Sequence, residues 1–277
     1  MRAPPDATRA DRFWCPRREL LIAAAILGTQ PSLPALAALD TSVVSERCQK
    51  EEALNGIYMQ ACMKDDKREF EWRTVGKIAI EQGPIGPSAT GETLWNSAAL
   101  LADYMATTLG PSYFKGKRVI EVGCGTALPS ITAAKLGASR VVATDVAPEV
   151  LARAKRNVAL NGASVEVREL VWGPVWDSSL ASSFDVVIAS DLLWILGGWR
   201  SLSQTVRELL APNGNLLLAE TGHDSLALPA AVGNFRSIAE GVGLEFDDPD
   251  KLPYNVDGFE SQVIRAHVSE LARRTAG

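Results

Sequence analysis

Two apolar runs frame this chain. Val119-Ile120-Glu121-Val122 stops at Gly123-Cys124-Gly125-Thr126, and Val141-Val142-Ala143-Thr144 stops at Asp145. Each reads as a buried strand, the first followed by a tight glycine turn and the second by a carboxylate. From there on, strands and helices alternate. The patterning predicts strands at 118–122, 140–144, 165–170, 185–190, 215–220, 244–247 and 261–267. Helices are predicted at 129–136, 148–160, 199–210 and 229–241, the second closed by Asn161-Gly162. Asp185–Ser190 is almost continuously apolar and reads as a central strand buried on both faces. The expected fold is therefore α/β, a doubly wound, mostly parallel seven-stranded sheet that binds its ligand at the carboxyl ends of the strands. Ahead of this core, Phe70-Glu71-Trp72 and Lys77-Ile78-Ala79-Ile80 alternate like a β-hairpin. Leu94, Trp95, Ala98, Leu101, Ala102 and Met105 predict a helix over Thr93–Leu109 that Gly110-Pro111 ends. Residues 41–62 also read as helical.

The glycine turn narrows the ligand. A dinucleotide loop needs Gly-x-Gly-x-x-Gly, and here Gly123 and Gly125 are followed by Leu128 at the third position. The Lys and Ser/Thr of a phosphate-cradling P-loop are absent. Backbone can approach a ligand closely at Gly123–Gly125, and Asp145 is placed to accept ribose hydroxyls. A close-approach loop with a ribose acid and no phosphate seat fits S-adenosylmethionine better than NAD. Glu121 is placed to bond the loop's amides or the ligand's ammonium. Cys124 reads as a small residue packed near the ligand, not as a nucleophile.

Composition excludes other chemistries. Apolar residues make up 47% of the 277 residues and charged residues 22%, which is globular. The net charge of −5 argues against a partner gripped by its phosphates, so no nucleic acid is expected. Four cysteines without ligand spacing and two histidines give no metal site and no histidine triad. Residues 1–37 are a different kind of sequence. A basic stretch ends in Arg17-Arg18, an apolar run Leu20–Leu27 follows, and Ala35-Leu36-Ala37 offers a small-residue cleavage site. The paired Arg resembles a twin-arginine signal. The run is too short to span a bilayer. We expect a cleaved targeting peptide, a chloroplast destination (stroma or thylakoid lumen) and no membrane span in the mature chain, with a cytoplasmic protein as the alternative. Three segments are expected: 1–37 for targeting, 38–110 as an extension with helix, hairpin and pre-core helix, and 111–277 as the core. No heptad or further domain suggests an oligomer, so a monomer is expected.

Over roughly residues 70–267 the chain resembles the class I, seven-β-strand S-adenosylmethionine-dependent methyltransferases, and within them the protein lysine methyltransferase-like family. Gly91-Glu92-Thr93-Leu94-Trp95 resembles that family's pre-core helix, whose Trp borders the cofactor. Gly123-Cys124-Gly125 and Asp145 match its cofactor loop and ribose acid. Leu170-Val171-Trp172-Gly173 resembles the end of strand three, where a Trp lines the adenine. Ala189-Ser190-Asp191-Leu192-Leu193-Trp194 resembles the D-x-x-Y element after strand four. The resemblance implies a last strand that runs antiparallel, and cofactor contacts from Trp95, Glu121, Gly123, Cys124, Gly125, Asp145, Trp172 and Ala189. It implies methyl transfer to a protein nitrogen, most simply lysine, with Asp191 orienting the amine and Trp194 walling the pocket. The chain departs from the family at Trp194, which replaces Tyr, and at Ala127, where a third Gly is common. Leu128-Pro129-Ser130 and the missing Tyr resemble a branch linked to histone arginine methylation. The rival readings are an arginine methyltransferase, a small-molecule N- or O-methyltransferase, a non-catalytic cofactor-binding interaction protein, and a nicotinamide-linked oxidoreductase. Trp176 and Trp199 receive no role.

Overall fold

A computed structural model describes residues 66–83, 90–221, 228–247, 250–256, 259–270 and 272. The predicted targeting peptide and the predicted 41–62 helix lie outside the described residues. The chain opens with a hairpin of β1 (Asp66–Trp72) and β2 (Gly76–Gln82). A 3₁₀ turn at Thr90–Glu92 leads into α1 (Asn96–Tyr104). The core then runs β3 (Arg118–Val122), α3 (Leu128–Lys135), β4 (Arg140–Asp145), α4 (Pro148–Leu160), β5 (Glu166–Glu169) and β6 (Phe184–Ser190). It closes with α5 (Trp199–Leu209), β7 (Leu210–Thr221), α6 (Leu228–Glu240), β8 (Leu244–Phe246), β9 (Asp250–Val256) and β10 (Phe259–Val268).

The sheet order is β5-β4-β3-β6-β7-β10-β8, with β9 paired to β10 outside that path. β3, β4, β5, β6 and β7 pair in parallel, whereas β10 runs antiparallel to β7 and β8. The strand order reverses between β3 and β6, so the crevice above their carboxyl ends is the expected ligand site. Alternation along the central strands divides the interior. Ile120, Val122, Val187, Leu216, Leu218 and Ile264 face α5 and α6. Val119, Val186, Ile188, Leu217 and Val263 face the other way, onto Leu101, Met105, Phe114 and Leu136. Residues on both sides of position 110 thus share one core.

Four elements differ from the sequence reading. The helix predicted over Thr93–Leu109 is regular only to Tyr104, then widens to a π-helical turn at Met105–Leu109. Gly110-Pro111 ends it, but the same pair starts another helix. Gly110 takes φ +65° and Pro111 opens a new helix, α2 (Gly110–Phe114), because proline suits the first helical turn. β7 begins at Leu210, not at 215. Ala-Pro-Asn-Gly is absorbed as its irregular first section, and a Cβ at Gly214 would lie 2.7 Å from the Phe184 carbonyl oxygen. Hydrophobic alternation did not predict β9.

The hairpin is bound to the core by packing and by two amides. Phe70, Trp72, Ile78 and Ile80 are buried against α1, α3 and α4. The Asn157 Oδ1 accepts from the Glu81 amide at 2.8 Å, and its Nδ2 donates to the Glu81 carbonyl and to the Thr126 carbonyl. One turn on, Asn161 repeats the exchange with Ala79. These side chains act as a substitute strand along the edge of β2, and Asn157 also holds the glycine loop. Asn157→Ala strands three backbone groups, one buried and two partly buried, and should cost about 2–4 kcal/mol in urea unfolding. A loss below about 0.5 kcal/mol, the usual surface value, would contradict this account.

Candidate active site

The carboxyl ends of β3, β4 and β6 enclose a cavity of about 520 Å³, walled on its outer side by the Thr90–Trp95 segment and by the turn after β5. Its floor is the glycine loop. Gly123 and Gly125 take φ +63° and +51°, the left-handed region that glycine enters without strain. Both are also crowded. A Cβ on Gly123 would meet Leu192 Cδ2 at 2.7 Å, and one on Gly125 would meet the Gly91 carbonyl oxygen at 3.1 Å. Ala127 holds φ +65° just before α3, and Pro129 lies in that helix's first turn. The Thr90–Glu92 turn is fastened over the loop by Glu92 Oε1 and Arg153 Nη2 at 3.4 Å and by the Gly83 amide donating to the Glu92 carbonyl.

The loop's donors are spent inside the protein. The Cys124 amide donates to Thr144, the Ala127 amide to Cys124, and the Gly125 amide to Asp145 Oδ2 at 3.3 Å. At the start of α3, where an anion would bind, the Ser130 amide and hydroxyl both donate to Glu121 Oε2. The Cys124, Gly125, Ala127 and Ser130 amides are thus engaged within the protein and not arrayed toward a phosphate.

Asp145 ends β4 and lines the cavity. Its Oδ1 accepts from the Val146 and Ala147 amides at 2.8 and 3.2 Å, and only the long Gly125 contact engages Oδ2. One oxygen is therefore held while the other retains lone pairs toward the cavity. Burial pushes its carboxyl up, against the pull of the three amides. Trp95 lines the wall as the residue before α1, its indole N–H donating to the Thr90 carbonyl at 3.1 Å. Trp172 lines the opposite side and packs on Gly198, where a Cβ would lie 3.0 Å from its ring. Cys124 lines the floor, and burial pushes its thiol well up, which disfavours a thiolate.

Two residues expected to contact the cofactor lie behind the cavity lining. Glu121 does not line the cavity. It is fully buried beneath the loop, because its position in β3 turns it toward α3 and Ser130. Ala189 points into the apolar core with Val187 and Leu218, since alternation along β6 turns it away from the ligand edge; Ser190 lines the cavity instead.

The other half of the site follows β6. Asp191, 6% exposed, takes φ +57° and lines the cavity with Leu192 and Trp194. Trp194 is 46% exposed at the rim. Two supports were not assigned from sequence. Glu220 at the end of β7 accepts from the Leu192 and Leu193 amides at 2.7 and 3.1 Å. Trp199 donates its indole N–H to the Leu193 carbonyl at 2.9 Å. Only the count of apolar neighbours distinguishes such residues in sequence, and it points to core packing. Trp176 is 89% exposed and outside the cavity.

Asp145 and Asp191 are the only charged side chains among the described residues lining the cavity. Glycines that a Cβ would crowd, a carboxylate with one oxygen to spare, two indoles and no phosphate seat fit a cationic nucleoside with a sulfonium. The fold and site define a class I S-adenosylmethionine-dependent methyltransferase. The sequence pattern described as lysine methyltransferase matches residues 77–224, and the chain belongs to that family. It is 37% identical over 122 residues to the calmodulin-lysine N-methyltransferase of Arabidopsis thaliana, covering 42% of this chain and 40% of that one. It is 30% identical over 195 residues to the protein N-terminal and lysine N-methyltransferase EFM7 of Candida glabrata, covering 64% and 74%. With the mouse protein N-lysine methyltransferase METTL21A the identity is 31%, covering 54% and 63%. Among solved structures, the PH0226 protein of Pyrococcus horikoshii shares the fold at a TM-score of 0.50 and 14% identity, over 60% of this chain and 89% of that one.

Two measurements follow from the buried acids. Asp145→Ala should weaken S-adenosylmethionine binding by about 1.5–3 kcal/mol in calorimetry, the range for charge-assisted bonds; unchanged affinity would remove Asp145 from the ribose. Burial pushes the Glu121 carboxyl from 4.5 up to about 8, partly opposed by the Ser130 bonds. The folded state therefore holds a proton that the unfolded chain releases between those pH values. Glu121's contribution is fully present below pH 4.5 and lost as pH rises to about 8. Glu121→Gln should show a shallower fall in Tm between about pH 5 and 8.5 than the parent. Equal slopes would contradict it.

Proposed function

We propose that this protein transfers the methyl group of S-adenosylmethionine to the Nζ of a lysine in a protein substrate. The observation that carries this reading is the charge of the cavity, whose described lining offers two carboxylates and no basic side chain. Such a site favours a cationic cofactor and a side chain that arrives as a cation. The family membership and the names of the relatives support the same acceptor.

When bound, the cofactor supplies an electrophilic methyl on a good leaving group, so the protein's task is chiefly positioning. Asp145, Trp95 and Trp172 hold the nucleoside. Asp191 accepts a hydrogen bond from the incoming amine and fixes its direction. A free lysine has a pKa of about 10.4 and must lose a proton first. A neighbouring carboxylate raises that value further. Asp191 is thus a positioning group, and the proton leaves to water. Trp194 offers an aromatic face to the cation, with a donor-only indole in place of a phenol. In the same reading the chain works as a monomer without nucleic acid, and residues 1–37 direct it to the plastid.

The test is methyl transfer from labelled S-adenosylmethionine into cell extract, split into protein and small-molecule fractions, with acid hydrolysis of the labelled protein. Label is expected as methyl-lysine. Methyl-arginine, or label confined to small molecules, would select a rival, and cofactor binding with no transfer would select an interaction protein. Asp191→Asn should bind the cofactor normally and lower kcat by roughly 10–100-fold, the size of a lost orienting contact. Equal loss of both would make Asp191 structural.

A further inference from the structure

The acceptor half of the site rests on a residue that does not line the cavity. Asp191 leaves β6 through a left-handed residue, φ +57°, uncommon for any side chain but glycine. A residue held there persists only where its surroundings fix it. Behind it the Leu192 and Leu193 amides turn inward, and both donate to one oxygen of Glu220, Oε1. The Asp191 amide donates to the Ala219 carbonyl at 3.0 Å, so β7 grips three successive residues of this turn. The Leu192 side chain lies against Gly123 of the cofactor loop. Glu220 is 2% exposed, and α1 closes over the same strand end through the Ser97 hydroxyl donating to Thr221.

We propose that Glu220 is a positioning residue for methyl transfer, aiming the Asp191 carboxylate at the acceptor amine by holding the Leu192 and Leu193 amides. This rests on the acceptor role of Asp191 stated above. A buried aliphatic residue at this strand end would pack as well, but would leave two buried N–H groups unmet and the left-handed turn unsupported. Burial, then the neighbouring Asp191, pushes the Glu220 carboxyl well above the usual range. The two amide bonds to one oxygen show that the turn needs an acceptor oxygen at full side-chain length.

Three variants of the full chain separate length, oxygen and charge. Glu220→Gln keeps the acceptor at the same reach, Glu220→Asp withdraws it, and Glu220→Met removes it. Amide exchange at Leu192 and Leu193, read by NMR without substrate, should rise roughly tenfold or more in the Asp and Met variants and stay near the parent in Gln. In methyl transfer, kcat should fall roughly tenfold or more in Asp and Met and recover most of the way in Gln, with cofactor Kd shifted by less than about threefold. Glu220→Met added to Asp191→Asn should cost little beyond Asp191→Asn alone, because both act through one carboxylate. Faster exchange with unchanged kcat would overturn the proposal, as would a Gln variant as slow as Met or additive losses in the double variant. Normal turnover in Asp191→Asn would remove the acceptor role and the proposal with it. The exchange rates would then tell whether Glu220 holds the turn at all.

Discussion

Parallel strands that end in sharp turns leave backbone amides pointing inward at the sheet's carboxyl edge, and a dry interior offers them nothing. Here carboxylates at or near the strand ends meet that need. Glu121, in β3, takes the Ser130 amide at the head of α3. Asp145, ending β4, takes Gly125, Val146 and Ala147. Glu220, near the end of β7, takes Leu192 and Leu193. The head of α3, the turn after β4 and the turn after β6 each owe their backbone path to one of these acids.

The same arrangement sets the site's charge. Burial pushes all three carboxyls up, and Asp145 raises Glu121 further while Asp191 raises Glu220. A cluster of acids in low dielectric is costly alone and is relieved by a positive ligand. A sulfonium nucleoside and an ammonium side chain each bring one. The turns that shape the cavity therefore also select the sign of what enters it, with no basic side chain in the described lining.

Much of this was legible in sequence because it lies in short, local patterns. The continuous apolar runs at Val119–Val122 and Val186–Ala189 placed the two central strands, and Gly123, Gly125 and Asp145 placed the ligand edge. Other features were hidden because their meaning depends on a distant partner. Asn157 reads as an ordinary helix residue and Asn161 as a helix stop until β2 lies along them. Glu220 reads as the polar end of a strand until the turn after β6 folds over it. Alternation gives a residue's face but not what it touches, so the burial of Glu121 against Ser130 and of Ala189 in the apolar core was not legible. Gly110-Pro111 stops its helix as read, but a pair that stops one helix also suits the start of another, and α2 was not foreseen.

The two halves of the site are built by different means. The nucleoside half is mostly backbone and scaffold: glycines that a Cβ would crowd, the Gly91 carbonyl against Gly125, and Asn157 fastening Thr126. The acceptor half is a single left-handed turn carrying Asp191 and Trp194, supported from behind by Glu220 and Trp199. Side chains on a turn can change without disturbing the glycine loop, and Trp194 stands on such a turn at the rim. The halves still meet at one contact, Leu192 on Gly123. A shift of the acceptor turn is felt at the cofactor loop through that contact, so the reacting groups keep register although they hang from different strands.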